Sequence, residues 1–354
     1  MINLTKEISY NEINGENHVI IDVRSPIEFA KGHLVEAFNI PLFSDKERED
    51  IGTLYKQTGK DEAVKKGLEF VGPKMSRFVD EASNIAKSKK VQDIYVYCFR
   101  GGMRSESFVW LLNMAGLNAS KISGGYKQIK KIIQDGFNQK CKIIILGGLT
   151  GSGKTQYLHK LEECGLQILD LEKIANHKGS AFGHINEHPQ PTNEQFGNNI
   201  YSVWKKFDFD KIVLIEDESL KVGDVHIPQP LYNQMKSAPV ICINVPNEVR
   251  VNQLLKDYKS TDKNLLINAC DSIKMKLGGQ THLDIITLIK NDDINSACIK
   301  LLDYYDKFYS YGLQKRTTEQ LLEVHLNSSS AQENLEALRN ATSIVERRMD
   351  GSKI

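Results

Sequence analysis

Two short segments of this chain combine residue types that can do chemistry. The first is Cys98-Phe99-Arg100-Gly101-Gly102-Met103-Arg104-Ser105. The run before it, Ile94–Tyr97, has strand character, and Ser105–Met114 after it has helical periodicity. A loop in that position turns its backbone N–H groups inward, at the positive end of the following helix. A sulfur at its start is surrounded by donors, which favours the thiolate, the nucleophilic form. Gly101 and Gly102 let the loop curl tightly. Arg100 and Arg104 supply charge for an anionic donor or product. Two chemistries use such a loop: sulfur transfer through a Cys persulfide, and phosphate-ester hydrolysis, since Cys98 and Arg104 also satisfy Cys-x5-Arg.

The second segment, Gly148-Leu149-Thr150-Gly151-Ser152-Gly153-Lys154-Thr155, matches G-x-x-x-x-G-K-[ST] in full. Gly148, Gly151 and Gly153, with Ser152 between them, let backbone N–H groups converge on phosphate oxygens. The helix expected over Gln156–Glu163 adds its N-terminal partial charge. Lys154 neutralises a further phosphate, and Thr155 can hold Mg2+. Lys211–Ile215 is an apolar run leading into Glu216-Asp217-Glu218-Ser219. Glu216 or Asp217 could therefore act through Mg2+ at a strand end. No adenine-recognition feature or arginine finger stands out. The motif indicates phosphates, not specifically ATP, and another diphosphate would serve.

Loops of this kind need strands to aim them. Val19–Val23, Ala37–Ile40, Ile94–Tyr97 and the Lys121–Tyr126 stretch alternate with helical patterns such as Met75–Lys87. Lys142–Leu146 (KIIIL) is a β-branched run suited to a strand buried on both faces of a parallel sheet. Further strands are expected at Gln167–Leu169, Lys211–Ile215 and Pro239–Val245. The reading is α/β twice over: an α/β domain over residues 1–127, a helical linker over 128–140, a parallel-sheet phosphate-loop domain over 141–246, and a mostly helical part over 247–354 packed on it.

The chain has 354 residues, 40% hydrophobic and 26% charged, with net charge +1. That composition suits two globular domains and excludes a whole-molecule electrostatic magnet for nucleic acid. A local basic groove stays open. Six cysteines occur singly, without a CxxC pair or zinc-ligand spacing. Apart from Cys98 they read as small buried hydrophobes in a reducing compartment. The start of the chain is polar and no apolar run is long enough to span a bilayer, so a cytoplasmic protein without a membrane partner is expected.

Around Cys98, the residues Asp22-Val23-Arg24-Ser25-Pro26, Glu28-Phe29, Gly32-His33, Asn39-Ile40-Pro41 and Ser123-Gly124-Gly125-Tyr126 resemble a rhodanese domain. Phosphatases with a Cys-x5-Arg loop usually place His before the Cys, where this chain has Tyr97; the hydrolase alternative stays open. Ser25 and Pro26 suit a helix N-cap and first position. Arg24 could instead help close the cysteine site. A rhodanese-like α/β domain followed by a P-loop NTPase-like domain resembles the bacterial tRNA 2-selenouridine synthases. Three further segments carry that resemblance: Ile51–Gln57, His177–Gly183 continuing to Phe196, and Glu216–Ser219 continuing to Gly223. One departure is visible, Leu220 where the resemblance would place Arg, with Lys221 as the next cation.

The resemblance implies replacement of sulfur by selenium in 2-thiouridine at the tRNA wobble position. Its co-substrates would be geranyl diphosphate, which alkylates the sulfur, and selenophosphate, which delivers selenium. The partners implied are the tRNA anticodon region and an enzyme producing selenophosphate. The competing readings are a small-molecule kinase or ATPase, and a persulfide carrier, each with a regulatory rhodanese domain. Phe182–Phe196, irregular and proline-bearing, reads as a binding loop; Pro189 and Pro191 argue against a zinc-binding helix at His184 and His188. The Tyr304–Tyr311 aromatics with Lys315 and Arg316 suit either RNA stacking or core packing.

Overall fold

The computed structural model describes residues 6–13, 15, 17–313, 320–326 and 330–351, with backbone alone over 308–313. The chain divides into two compact units, Met1–Gly136 with Gly197–Ser202, and Phe137–Phe196 with Val203–Ile354.

The first unit is built on five strands: β1 (Lys6–Ile8), β2 (His18–Asp22), β3 (Ala37–Asn39), β4 (Asp93–Tyr97) and β5 (Asn118–Ile122). All pairs are parallel, in the order β1-β5-β4-β2-β3. Val19, Ile21 and Val23 face one side with Val96 and Cys98, packed under Phe78, Ala82, Phe108 and Leu112 from the helices Met75–Lys89 and Met103–Met114. Ile20 and Tyr97 on the opposite side are also buried. Two-sided burial is why these strands read as continuous apolar runs. Cys98 follows β4, a central strand, so its loop emerges at the carboxyl end of the sheet, where ligands bind in open α/β folds.

The stretch expected as a linker, 128–140, is not a free tether. The helix Gly125–Gly136 buries Tyr126, Ile129 and Ile133 and belongs to the first unit. An apolar residue every three to four positions gives it that buried stripe.

The second unit holds β6 (Lys142–Gly148), β7 (Gln167–Leu169), β8 (Ile212–Glu216), β9 (Lys221–Val222), β10 (Val225–His226), β11 (Val240–Asn244) and β12 (Leu321–His325). Five of these form a parallel sheet ordered β12-β11-β6-β8-β7, and β9 and β10 form an antiparallel hairpin. Ile144 and Leu146 on β6 pack with Leu158 and Leu161 of the helix Lys154–Glu163 and with Leu338, Ala341 and Val345 of the helix Ala331–Met349. The C-terminal part is mostly helical. It also supplies the edge strand β12, which sequence reading passed over.

Candidate functional site

Cys98 is 3% exposed, and its Sγ lies 3.3 Å from the Ser105 hydroxyl, which in turn lies 3.0 Å from the Gly102 carbonyl oxygen it donates to. The amides of Arg100, Gly101 and Gly102 donate to no acceptor among the described residues. These are the donors an anion at the sulfur would use. The loop is held from outside by the start of the helix Gly125–Gly136. The Tyr126 amide donates to the Cys98 carbonyl and the Lys127 amide to that of Phe99, both at 2.9 Å. Gly125 has φ +58, and a Cβ there would overlap the Cys98 carbonyl oxygen and the Gly101 nitrogen. That contact explains Ser123-Gly124-Gly125-Tyr126: only glycine lets the two backbones meet.

The two arginines of the loop part company. Arg100 is exposed and has no ion-pair partner among the described residues. Arg104 instead donates to Glu28 at 2.7 Å. Burial alone would raise the Glu28 carboxyl, but Arg104, then the Ser25 amide and Arg48, outweigh it and hold it below the usual carboxylate range. Glu28 also accepts from the Ser25 amide at the start of the helix Pro26–Lys31, whereas the buried Ser25 hydroxyl has no partner among the described residues. The sequence suggested the cap but not the ion pair, which spans seventy-six positions. An arginine already bound to a carboxylate is poorly placed to clamp phosphate, which weighs against the phosphatase chemistry. Arg24 is structural. It forks onto Asp22 at 2.6 to 3.0 Å, donates to the Gly32 carbonyl at 2.7 Å, and lies 3.8 Å from the Tyr126 ring centroid.

In the second unit, Gly148–Thr155 joins β6 to the helix Lys154–Glu163. The Gly151 and Gly153 amides have no acceptor among the described residues, and the buried Ser152 hydroxyl has no partner. Lys154 Nζ folds back onto the Gly148 carbonyl at 2.9 Å. Thr155 donates towards Glu216 at 2.7 Å and Glu172 at 3.2 Å. Glu216 ends β8 in the register that sets it beside Leu146 of β6. Asp217 lines the same pocket.

Glu172 and Glu218 join this group and were not singled out from sequence. Glu172 follows Asp170-Leu171 at the end of β7, an acidic strand end that could have drawn notice. Gly179 has φ +66, and a Cβ there would crowd the Glu218 and Glu172 carboxyls. Burial, then the Glu218 charge, pushes Glu172 up; burial, then Glu172, pushes Glu216 up. Burial, then Glu216, raises Glu218 to about 7. Glu172 and Glu218 are close neighbours, and the Glu218 charge opposes ionisation of Glu172. Among the described residues no three acidic, His or Cys side chains form a closed metal cage. Mg2+ does not need one: it takes one or two carboxylates, water and ligand phosphates. Excess buried negative charge beside the Thr155 hydroxyl fits that ion.

A prediction follows from the sign of these shifts. Raised carboxyl pKa values stabilise the fold below about pH 4.5, the ordinary glutamate value, and that contribution is lost as pH rises through about 7. A cation competes with the protons, so Mg2+ affinity should rise up to about tenfold per pH unit for each proton displaced, between about pH 6 and 8. Thermal melts with and without Mg2+ should show a larger stabilisation at pH 8.5 than at pH 6. A pH-independent Mg2+ effect would separate the ion from these carboxyls.

One pocket of about 580 Å3 is lined by the phosphate loop together with Glu172, Lys178, Glu218, Gln253 and Asp257. Its wall continues over Phe182, Leu254, Tyr258, Leu266, Ile289 and Leu301. Phe182 is thus the part of the expected binding loop that reaches the pocket. Gln190 is tied to the Ala175 and Val222 carbonyls, and residues 184–188 form no helix. Lys221 is ion-paired to Asp224 on the hairpin and does not line this pocket. Tyr305 lines the pocket; the side chains of Phe308, Tyr309, Tyr311, Lys315 and Arg316 lie outside the described residues. Arg250, 1% exposed, is a further residue missed. It donates to the Thr150 carbonyl at 2.8 Å and to both Asp306 oxygens, tying the loop to the helix Ile294–Leu313.

Residues 5–132 match the rhodanese-like domain family, and residues 141–342 match the tRNA 2-selenouridine synthase AAA domain family. Proteins named tRNA 2-selenouridine synthase are similar over most of the chain. That of Shewanella frigidimarina is 35% identical over 341 residues, covering 87% of this chain and 92% of the relative. That of Shewanella woodyi is 33% identical over 348 residues, covering 89% and 93%. That of Bordetella petrii is 35% identical over 349 residues, covering 87% and 90%. With both halves matched in this order and at this identity, the chain belongs to the tRNA 2-selenouridine synthase family.

Proposed function

We propose that this protein is a tRNA-modifying transferase that replaces sulfur by selenium in wobble-position 2-thiouridine. The names of its relatives support selenation of tRNA. For the route, one observation carries most weight: the pocket that the phosphate loop lines is also walled by Phe182, Leu254, Leu266, Ile289 and Leu301. Such side chains can cover the hydrocarbon chain of a geranyl diphosphate.

In the first step the tRNA sulfur bonds to C1 of the geranyl chain as the C1–O bond to diphosphate breaks. Gly148, Gly151, Ser152, Gly153 and Lys154 would bind the departing diphosphate. Thr155, with Glu216 or Asp217, would hold Mg2+, which supplies further charge stabilisation on the leaving group. Alkylation turns a poor leaving group into a thiolate that can depart. In the second step selenium from selenophosphate replaces geranylthiolate at C2, and water takes the phosphoryl group. Cys98 would direct the selenide released from selenophosphate to C2, the Gly101 and Gly102 amides and Arg100 would receive the anionic donor, and Arg104 would brace the loop through Glu28. The tRNA is engaged at its anticodon region, and an enzyme making selenophosphate supplies the donor. This work belongs in the cytoplasm; among the described residues no helix is long and apolar enough to cross a membrane.

Purified protein given 2-thiouridine tRNA, geranyl diphosphate and selenophosphate should yield the S-geranyl and then the 2-seleno nucleoside by mass spectrometry, without ATP. ATP consumption with neither nucleoside formed would replace this reading by the kinase.

A further inference from the structure

The helix Asn247–Tyr258 meets the phosphate loop at Arg250. Arg250 donates to the Thr150 carbonyl at 2.8 Å, and a Cβ on Gly151 would lie 2.9 Å from the Arg250 carbonyl oxygen. Gln253 and Asp257 follow Arg250 by three and seven residues, a spacing that keeps all three on one face. Counted along the axis from Arg250, Gln253 comes after about 4.5 Å and Asp257 after about 10 Å, at 1.5 Å per residue. Both line the pocket that holds Lys154 and Thr155.

Gln253 and Asp257 are half-buried, and neither has a hydrogen-bond or ion-pair partner among the described residues. Lys178 in the same wall is already ion-paired to Glu187 at 3.3 Å. Polar side chains in a ligand pocket need partners once water is displaced. A prenyl diphosphate offers them none. Its phosphates repel a carboxylate, and its tail is hydrocarbon. The partner must come from the second substrate, the base whose sulfur is alkylated. S-alkylation of 2-thiouracil also leaves a proton to remove. Sulfur bonds to C1, the C1–O electron pair leaves with diphosphate, and the product becomes neutral only when the N3–H proton departs.

We propose that Asp257 and Gln253 read the Watson–Crick edge of the thiolated base in this pocket. The Asp257 carboxylate accepts the N3–H hydrogen bond, takes that proton as the S–C1 bond forms, and passes it to water when the product leaves. The Gln253 amide donates to O4. 2-Thiocytosine has an acceptor at N3 and an amino group at C4, so it would set a lone pair against the carboxylate. The pair therefore selects uracil over cytosine among 2-thiolated bases. The assignment rests on the reading that this pocket S-geranylates tRNA, and it adds which residues choose the base and remove its proton.

The test supplies geranyl diphosphate and anticodon stem-loop RNAs carrying 2-thiouridine or 2-thiocytidine at the wobble position, and reads S-geranyl nucleosides by mass spectrometry. Wild-type protein should favour 2-thiouridine by about tenfold or more, the scale of one base-edge contact. Asp257→Asn keeps the shape and can still accept from N3–H, but it is a far weaker base. Its kcat on 2-thiouridine should fall about a hundredfold with KM little changed. Gln253→Leu should raise KM and narrow the preference, each by about tenfold. Thermal stabilisation by Mg2+ with inorganic diphosphate, as in wild type, reports that a variant is folded with its phosphate loop intact. Should Asp257→Asn lose that stabilisation, the KM and preference of Gln253→Leu decide. Equal use of both RNAs by wild type, or variants that keep the stabilisation and the wild-type rates, overturn the assignment and leave the prenyl diphosphate reading standing. A wild-type protein that makes no S-geranyl nucleoside from either RNA overturns both.

Discussion

A Cys98→Ser protein is expected to lose 2-selenouridine formation by roughly a thousandfold or more, the scale of removing an essential nucleophile. The exchange replaces a potential thiolate by a hydroxyl that does not ionise near neutrality. The fold should survive it. Cys98 sits in a buried socket 3.3 Å from the Ser105 hydroxyl, and a smaller hydroxyl can bond there in its place. The loop geometry is set by backbone contacts to Tyr126 and Lys127, which the side chain does not make. The phosphate loop lies in the other unit, so S-geranylation should continue and its product should accumulate. Nucleoside mass spectrometry of 2-thiouridine tRNA incubated with both co-substrates reads both outcomes. Near wild-type selenation by the mutant would remove Cys98 from the mechanism.

The parts legible in the sequence are those whose physics is local. β4 and β6 announce themselves because strands buried on both faces become apolar runs, and the loops after them are spelled by glycines and a cysteine or lysine. Thr155 and Glu216 meet because a phosphate loop and the acidic end of β8 share neighbouring strands. Long-range pairings left little trace. Arg104 reads as a free cation until Glu28 is found beside it, and nothing near Arg250 in sequence points to Thr150. Glu172 and Glu218 acquire meaning only when the fold sets Glu172 and Glu216 on the Thr155 hydroxyl and Glu218 beside Glu172. The strand β12 is short and follows a long helix, and its pairing with β11 comes from tertiary structure rather than from pattern. The pocket was the least legible part, because its apolar wall is drawn from several helices whose individual stripes look like ordinary core.

Lys154→Ala should fail one step earlier than Cys98→Ser, and the pair of defects tests the order of events. Lys154 Nζ now rests on the Gly148 carbonyl, a weak neutral acceptor that it can exchange for a phosphate oxygen. Removing it takes away the loop's main charge-assisted contact to diphosphate. Such a loss typically costs about 2–4 kcal/mol in the transition state, or roughly 30- to 1,000-fold in rate. S-geranylation should therefore fall by that factor. Stability should change little, since the Ser152 amide, bonded to the Leu149 carbonyl, and the Arg250 strut keep the loop's shape. Supplied with tRNA already carrying the S-geranyl group, Lys154→Ala should still make the 2-seleno nucleoside, because that step needs the Cys98 loop, selenophosphate and a bound anticodon. Cys98→Ser should leave the same substrate unchanged. Time courses of both mutants on pre-geranylated tRNA provide the comparison. If both mutants fail in both half-reactions, the two loops act on one merged step. If Lys154→Ala geranylates normally, the phosphate loop serves a different ligand.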